Sequence, residues 1–425
     1  MAGMRIGVVC PELRRHLDPT LALAREIGRR GHHVTVFAAP RIRARVEAEG
    51  LAFRPVGAPE DADGSATAAW TASLERAGAS RGRAAARALA VLARVHVRDL
   101  SVAAEVAGLE GLVVDVACPG AAAVAERRRL PYVVSCPTLF GSASDEAPPP
   151  GMTLRIAAGR LARWRNRAAA HVTRRAIERW AHRLGPPGVL PLDLVFSPHR
   201  GRARVSPMPQ FFDAPQRLRV SRLHYTGPWT RSNRVDRPTG AVPASNDGAV
   251  VVVRMGTPGG RTQAVLDALA RAAPQLPGSM ALVGEDGADA ARSAGAPPGW
   301  PRVGAAGALA RASVLVTDAD LDVVLEGLAS GVPMVCVPSC LDQPGVARRV
   351  ERLGAGVVVP ASSATADRLA AAIRRALTDP ALRERATSAR RSLALVHGGR
   401  LAADVVERAL VGGRPISAPG AAQSV

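Results

Sequence analysis

This sequence predicts a two-domain α/β protein, each domain a doubly wound parallel sheet, and three observations lead there. The chain has 425 residues, ordinary for two domains and long for one. Short Val-rich runs, of the kind buried on both faces of a sheet, alternate with stretches of helical spacing. Residues 230–247 are polar and carry Pro238, Gly240 and Pro243, the composition of a linker. The domains expected are therefore 1–229 and 248–412, joined by 230–247 and followed by a flexible tail, 413–425.

Taken in order, 5–10 is the first strand and 11–19 a loop. A helix over 20–30 buries Leu21, Leu23, Ala24 and Ile27 and stops at Gly31. Strands at 34–38 and 51–56 flank a short helix at 42–49. Residues 68–109 are Ala- and Arg-rich and mostly helical, broken near Ser80-Arg81-Gly82. A strand at 112–116 carries Asp115 in or near its end, and a helix at 121–129 leads to a strand at 132–136. After Pro148-Pro149-Pro150, residues 154–184 form one or two amphipathic helices in which Trp164 and Trp180 interleave with arginines. The second domain opens with a strand at 248–255, a Gly-rich turn at 256–260 and a helix at 262–272. A strand follows at 280–283, and helices at 365–377 and 380–409 close the chain.

Composition narrows the function classes. The net charge is +20, and the chain has no lysine, so all 56 basic residues are arginine. A basic chain can bind nucleic acid, but no helix-turn-helix, zinc-finger or aromatic RNA-binding pattern is present, and no nucleic-acid partner is expected. An Arg- and Trp-bearing amphipathic helix can lie at a membrane face, which suggests peripheral contact with the inner membrane through 151–184. The competing reading packs the Trp side on the first domain and leaves the Arg side in water. Cys10, Cys118, Cys136, Cys336 and Cys340 form no metal-binding spacing and read as buried free thiols of a cytoplasmic protein. No leader is expected, and no apolar run approaches the ~20 residues of a membrane span. No Gly-x-Gly-x-x-Gly follows the first strand, which disfavours a dinucleotide site.

The most informative stretch is 312–356. Residues 313–317 form a buried strand, and Leu321, Val324, Leu325 and Leu328 share the face of a helix that Gly331 ends. A second strand covers 334–337, Asp342-Gln343 sits beyond it, and a helix over 346–353 stops at Gly354. Polar residues thus gather at the C-terminal ends of strands, where open α/β sheets bind ligands.

This stretch resembles the donor-binding signature of family-1 glycosyltransferases of the GT-B fold. The matching positions are Glu326, Gly331-Val332-Pro333, Pro338, Asp342-Gln343, Ala347 and Gly354-Ala355-Gly356. His16-x-x-Pro19 after the first strand, Asp115, and Gly227-Pro228-Trp229 before the linker resemble the first half of the same enzymes. Arg163-Trp164-Arg165-Asn166-Arg167, Phe212-Asp213 and Tyr225-Thr226-Gly227-Pro228 resemble its carotenoid and macrolide glucosyltransferase branch. The resemblance implies two Rossmann-like domains facing a central cleft, with the acceptor on the first and the nucleotide sugar on the second. It implies that a hexose passes, with inversion, from a nucleoside-diphosphate sugar to a hydroxyl of a lipophilic small molecule.

His16 could take the hydroxyl's proton, and Asp115 could orient the imidazole and stabilise its charged form. For His16 the simpler alternative is a loop histidine capping the next helix. The resemblance gives Glu326 the donor's ribose hydroxyls and Asp342 and Gln343 the sugar hydroxyls, and it places Gly256-Thr257 near the phosphates or sugar. Cofactors and divalent metal are not expected. One departure stands out. Where the family has His-Gly-Gly and a small hydroxyl residue to bind the diphosphate, this chain has Asp318-Ala319-Asp320 and Asp322-Val323. A carboxylate ~4 Å from a phosphate charge costs ~4 kcal/mol at an effective dielectric near 20. Three readings follow: an active transferase in which Arg254 or other arginines compensate, an inactive relative that binds a hydrophobic ligand or an active partner, and a cation held by Asp318, Asp320 and Asp322. Helix-dipole complementarity accounts for the acids more simply than a cation. The joint presence of His16, Asp115, Glu326, Asp342 and Gln343 favours activity.

Overall fold

The computed structural model describes residues 3–57, 91–139, 147–157, 159–184, 200–213, 222–229, 249–255, 260–283, 300–303 and 308–418. The expected linker, the Gly256-Thr257 turn and most of 68–109 lie outside them.

The first unit holds a parallel sheet of β1 (Arg5–Val9), β2 (His33–Ala38), β3 (Ala52–Pro55), β4 (Gly111–Asp115), β5 (Tyr132–Ser135), β6 (Ala203–Ser206) and β7 (Leu223–Tyr225). Its seven strands run in the order β3-β2-β1-β4-β5-β6-β7. The order reverses between β1 and β4, so the crevice at their C-terminal ends is the topological switch point. Helices α1 (Arg14–Gly28), α2 (Arg43–Ala48), α3 (Ser101–Val106), α4 (Pro119–Arg127) and α5 (Arg160–Leu184) belong to this unit. Leu17, Leu21, Ala24 and Ile27, spaced by three and four, fix the buried side of α1. That stripe begins before Thr20, so the helix starts at Arg14 and contains Pro19, and His16 stands in its first turn rather than in a loop.

The second unit repeats the plan. Its sheet comprises β8 (Val250–Arg254), β9 (Ser279–Val283), β10 (Arg302–Val303), β11 (Val314–Thr317), β12 (Met334–Cys336) and β13 (Gly356–Val358), all parallel, in the order β10-β9-β8-β11-β12-β13. Its helices are α6 (Gly260–Ala272), α7 (Leu321–Ser330), α8 (Gln343–Leu353), α9 (Ala366–Thr378) and α10 (Pro380–Ala394). Gly331 and Gly354 end α7 and α8 at φ of 72° and 75°, left-handed conformations that glycine adopts without a Cβ penalty.

Three sequence expectations give way here. Residues 380–409 are two helices, not one, because the chain breaks at His397 before α11 (Gly398–Val411). A Cβ on Gly398 would lie 2.2 Å from the Gly227 carbonyl oxygen, so only glycine permits that approach. Moreover, α11 belongs to the first unit, with residues 397–425, while 150–156 belong to the second. Ala402, Val406 and Leu410 share one core with Ile6, Leu21 and Val133, and Arg30 Nη1 pairs with Asp404 at 2.6 Å and Glu407 at 3.0 Å. Finally, the start of the expected tail is anchored: the Ile416 N–H donates to the Arg202 carbonyl at 2.8 Å.

On α5, Trp164 faces water, against the packed alternative; Trp180 has no described side chain. None of the described helices is long and apolar enough to cross a membrane.

Candidate active site

At the first switch point, β4 delivers Asp115 as its last residue and α1 delivers His16 from its first turn. The Nδ1 of His16 lies 2.9 Å from Oδ1 of Asp115, and both side chains are buried. The same oxygen accepts the Ala117 N–H at 2.8 Å, which fixes the carboxylate in place. A carboxylate can only accept, so Nδ1 carries the proton in the neutral ring and Nε2 keeps its lone pair. That is a proton acceptor held in one tautomer, with a negative charge behind it to stabilise the imidazolium.

The wall behind the pair is made of thiols. Burial holds Cys10 and Cys118 well above the usual thiol range, and the charge of Asp115 pushes both further the same way. Burial likewise raises Cys136, whose Sγ lies 3.5 Å from Nη2 of the buried Arg204. All five cysteines are buried and free. These thiols therefore stay neutral.

In the second unit, Arg254 closes β8 beside Thr317 of β11, again where the strand order reverses. Its Nη1 pairs with Oε2 of Glu326, which α7 presents from its central turn. Asp318 and Asp320 are buried and share one partner. Gln343 Nε2 donates to Asp318 Oδ2 and to Asp320 Oδ1, each at 3.0 Å. Gln343 Oε1 in turn accepts the Ser339 N–H at 3.0 Å and the Cys340 N–H at 3.1 Å. Both amide hydrogens of Gln343 are therefore directed at the two acids. Between the acids, Ala319 adopts φ 69°, where glycine would be unstrained. Asp342 is buried at the start of α8.

Among the described residues, no three His, Cys, Asp or Glu side chains group so as to hold a metal ion. Of Asp318, Asp320 and Asp322, the first two are bridged by the Gln343 amide. The structure thus joins His16 with Asp115, and separately Glu326 with Arg254. Sequence reasoning missed that second pairing; the signal was an arginine ending an all-valine strand. It also missed buried Arg204, which sits inside β6, a strand too short to show a period.

Comparison with known proteins fits this geometry. Residues 321–396 match the family model "Erythromycin biosynthesis protein CIII-like, C-terminal domain". A zeaxanthin glucosyltransferase of Pseudescherichia vulneris is 27% identical over 97% of this chain and 99% of its own. One from Pantoea ananas is 24% identical over 96% of this chain and 97% of its own. The chain is a glycosyltransferase, similar to those of family 1. Its two Rossmann-like domains have the GT-B fold, which it shares with the glycosyltransferase of kitacinnamycin at a TM-score of 0.71. That neighbour is 24% identical, covers 96% of this chain and is itself covered completely. In the transferase the strand-turn-helix framework of 314–330 carries Asp318 and Asp320 at its turn, with Gln343 bridging the two acids.

Proposed function

We propose that the transferase moves a hexose from a nucleoside-diphosphate sugar to a hydroxyl of a lipophilic small molecule of the natural-product or carotenoid type, with inversion at the anomeric carbon. The observation that carries this reading is the buried His16–Asp115 pair, 2.9 Å apart at the switch point of the first sheet. Nε2 takes the acceptor proton as the hydroxyl oxygen bonds to the anomeric carbon. The bond from that carbon to the phosphate oxygen breaks, and the nucleoside diphosphate leaves with the electron pair. Attack from the face opposite the leaving group inverts the centre in one displacement. Asp115 stabilises the imidazolium formed and never takes the proton itself.

On the donor side, Glu326 and Asp342 are the residues proposed to meet ribose and sugar hydroxyls, and Arg254 holds Glu326 in place. Gln343 belongs to the same proposed set, with its amide set against Asp318 and Asp320. The acceptor class follows from the zeaxanthin-acting relatives, which are similar over nearly the whole chain.

The test is transfer by purified protein from UDP-, TDP- and GDP-glucose to a panel of hydroxylated polyketides and carotenoids, with product anomeric coupling read by NMR. Activity that falls about 10²–10⁴-fold in His16→Ala, the usual worth of a general base, supports the reading. A His16→Ala variant with full transfer activity refutes it. A retained anomeric configuration refutes the single displacement.

A further inference from the structure

We propose that the outward face of α5 is a docking surface for an anionic lipid bilayer, built from a line of exposed apolar side chains set among arginines. A helix resting on its own domain normally turns its large apolar residues inward. Among the described side chains of α5 the arrangement is reversed. Leu161 is 79% exposed, Trp164 68% and Val172 64%, while the buried positions are the small Ala162 and the polar Asn166. Leu161, Trp164, exposed Ala168 and Val172 are spaced three, four and four residues apart, so they form one stripe along about 17 Å of helix.

The surroundings of the stripe select its occupant. The 25 residues of α5 contain eight arginines and one glutamate, Glu178. Arg160 and Arg167 are exposed beside the stripe, and Arg175 and Arg179 are exposed where it continues along the helix. A second copy of this face would bring arginine against arginine, whereas lipid phosphates pair with guanidinium forks and juxtamembrane basic clusters are drawn to anionic leaflets. Tryptophan suits the boundary itself, with an apolar body and one N–H for the headgroup layer. The composition is that of a helix lying in the interface plane, since no described helix is apolar enough to span.

The experiment is flotation of the full-length protein with vesicles, one set of phosphatidylcholine alone and one containing a third phosphatidylglycerol. The expected result is flotation with the anionic vesicles only, released by half-molar salt. Leu161→Gln with Trp164→Gln should cut the bound fraction at least tenfold, and so should Arg160→Gln with Arg167→Gln. All four side chains are exposed, so these variants should keep the wild-type circular dichroism and melting curve, which checks that any loss is not unfolding. Trp164→Phe should also remove quenching by brominated acyl chains. No flotation, equal flotation with neutral vesicles, or flotation indifferent to the Leu161/Trp164 variant overturns the proposal. A Trp164-dependent dimer without vesicle binding would assign the stripe to self-association instead. A raised acceptor KM without vesicle binding would assign it to the acceptor. Flotation needs no turnover, so its outcome is independent of the reading of His16 and Asp115.

Discussion

Replacing Asp115 by Asn tests the base at its support while leaving volume unchanged. In the native protein one carboxylate oxygen accepts both His16 Nδ1–H, at 2.9 Å, and the Ala117 N–H, at 2.8 Å. An asparagine with its carbonyl oxygen in that place still accepts both bonds, so the ring keeps its tautomer, and the NH2 takes the place of the second oxygen, which is buried without a hydrogen-bond partner. What the variant loses is the charge that balances the imidazolium. Removing one partner of a buried, hydrogen-bonded charge pair costs about 3–5 kcal/mol. At 1.36 kcal/mol per tenfold, kcat should fall by roughly 10²–10⁴. The assay is initial-rate release of nucleoside diphosphate at saturating donor and acceptor. Donor KM should stay within about twofold, because an effect confined to the transition state lowers kcat without loosening substrate. An Asp115→Asn variant within threefold of wild-type kcat would refute the charge-stabilising role, and so would a loss that appears wholly as donor KM.

Three further outcomes follow. Asp318→Asn with Asp320→Asn removes two carboxylates from the head of α7 and should tighten nucleoside-diphosphate binding at least tenfold by calorimetry; unchanged affinity would show that the diphosphate never approaches them. His96 is buried and burial lowers it to about 4 from an ordinary 6.5, so the neutral ring stabilises the fold above pH 6.5 and that contribution is lost as pH falls toward 4. Across that window about 3 kcal/mol should disappear, seen as a falling urea midpoint that His96→Leu flattens. All five thiols are buried, and burial raises those of Cys10, Cys118 and Cys136, so none should react with Ellman's reagent at pH 8 until urea is added; rapid labelling of native protein would contradict the packing behind Asp115.

Local rules carried much of this fold. The valine runs marked β1, β4, β8 and β11, and Gly331 and Gly354 marked the ends of α7 and α8, because those signals lie within a few residues of what they specify. His16 and Asp115 were legible as chemistry at strand ends, but their distance is a property of the strand order across β1 and β4. The bridge made by Gln343 was hidden for the same kind of reason. Its partners Asp318 and Asp320 sit on a different loop, and no spacing in the sequence says that an amide will bridge two acids there. Periodicity showed that α5 has an apolar line, yet Ala162, Asn166, Ala169 and Thr173 recur with the same period. Only packing decides which line faces inward. The allegiance of α11 was hidden because Gly398 and Gly399 look like a kink within a helix rather than a return to the first sheet.

That return bears on how the protein is made. The core of the first unit is completed by Ala402, Val406 and Leu410, residues that leave the ribosome long after β1 through β5. At ~5–20 residues per second, β1 through β5 wait on the order of a minute for the helix that covers them. During that interval a face of valines and leucines stands open while a second, self-sufficient Rossmann sheet is synthesised behind it. Nascent chains stalled just short of His397 should therefore recruit chaperones, and a stop codon there should yield aggregate rather than a trimmed enzyme.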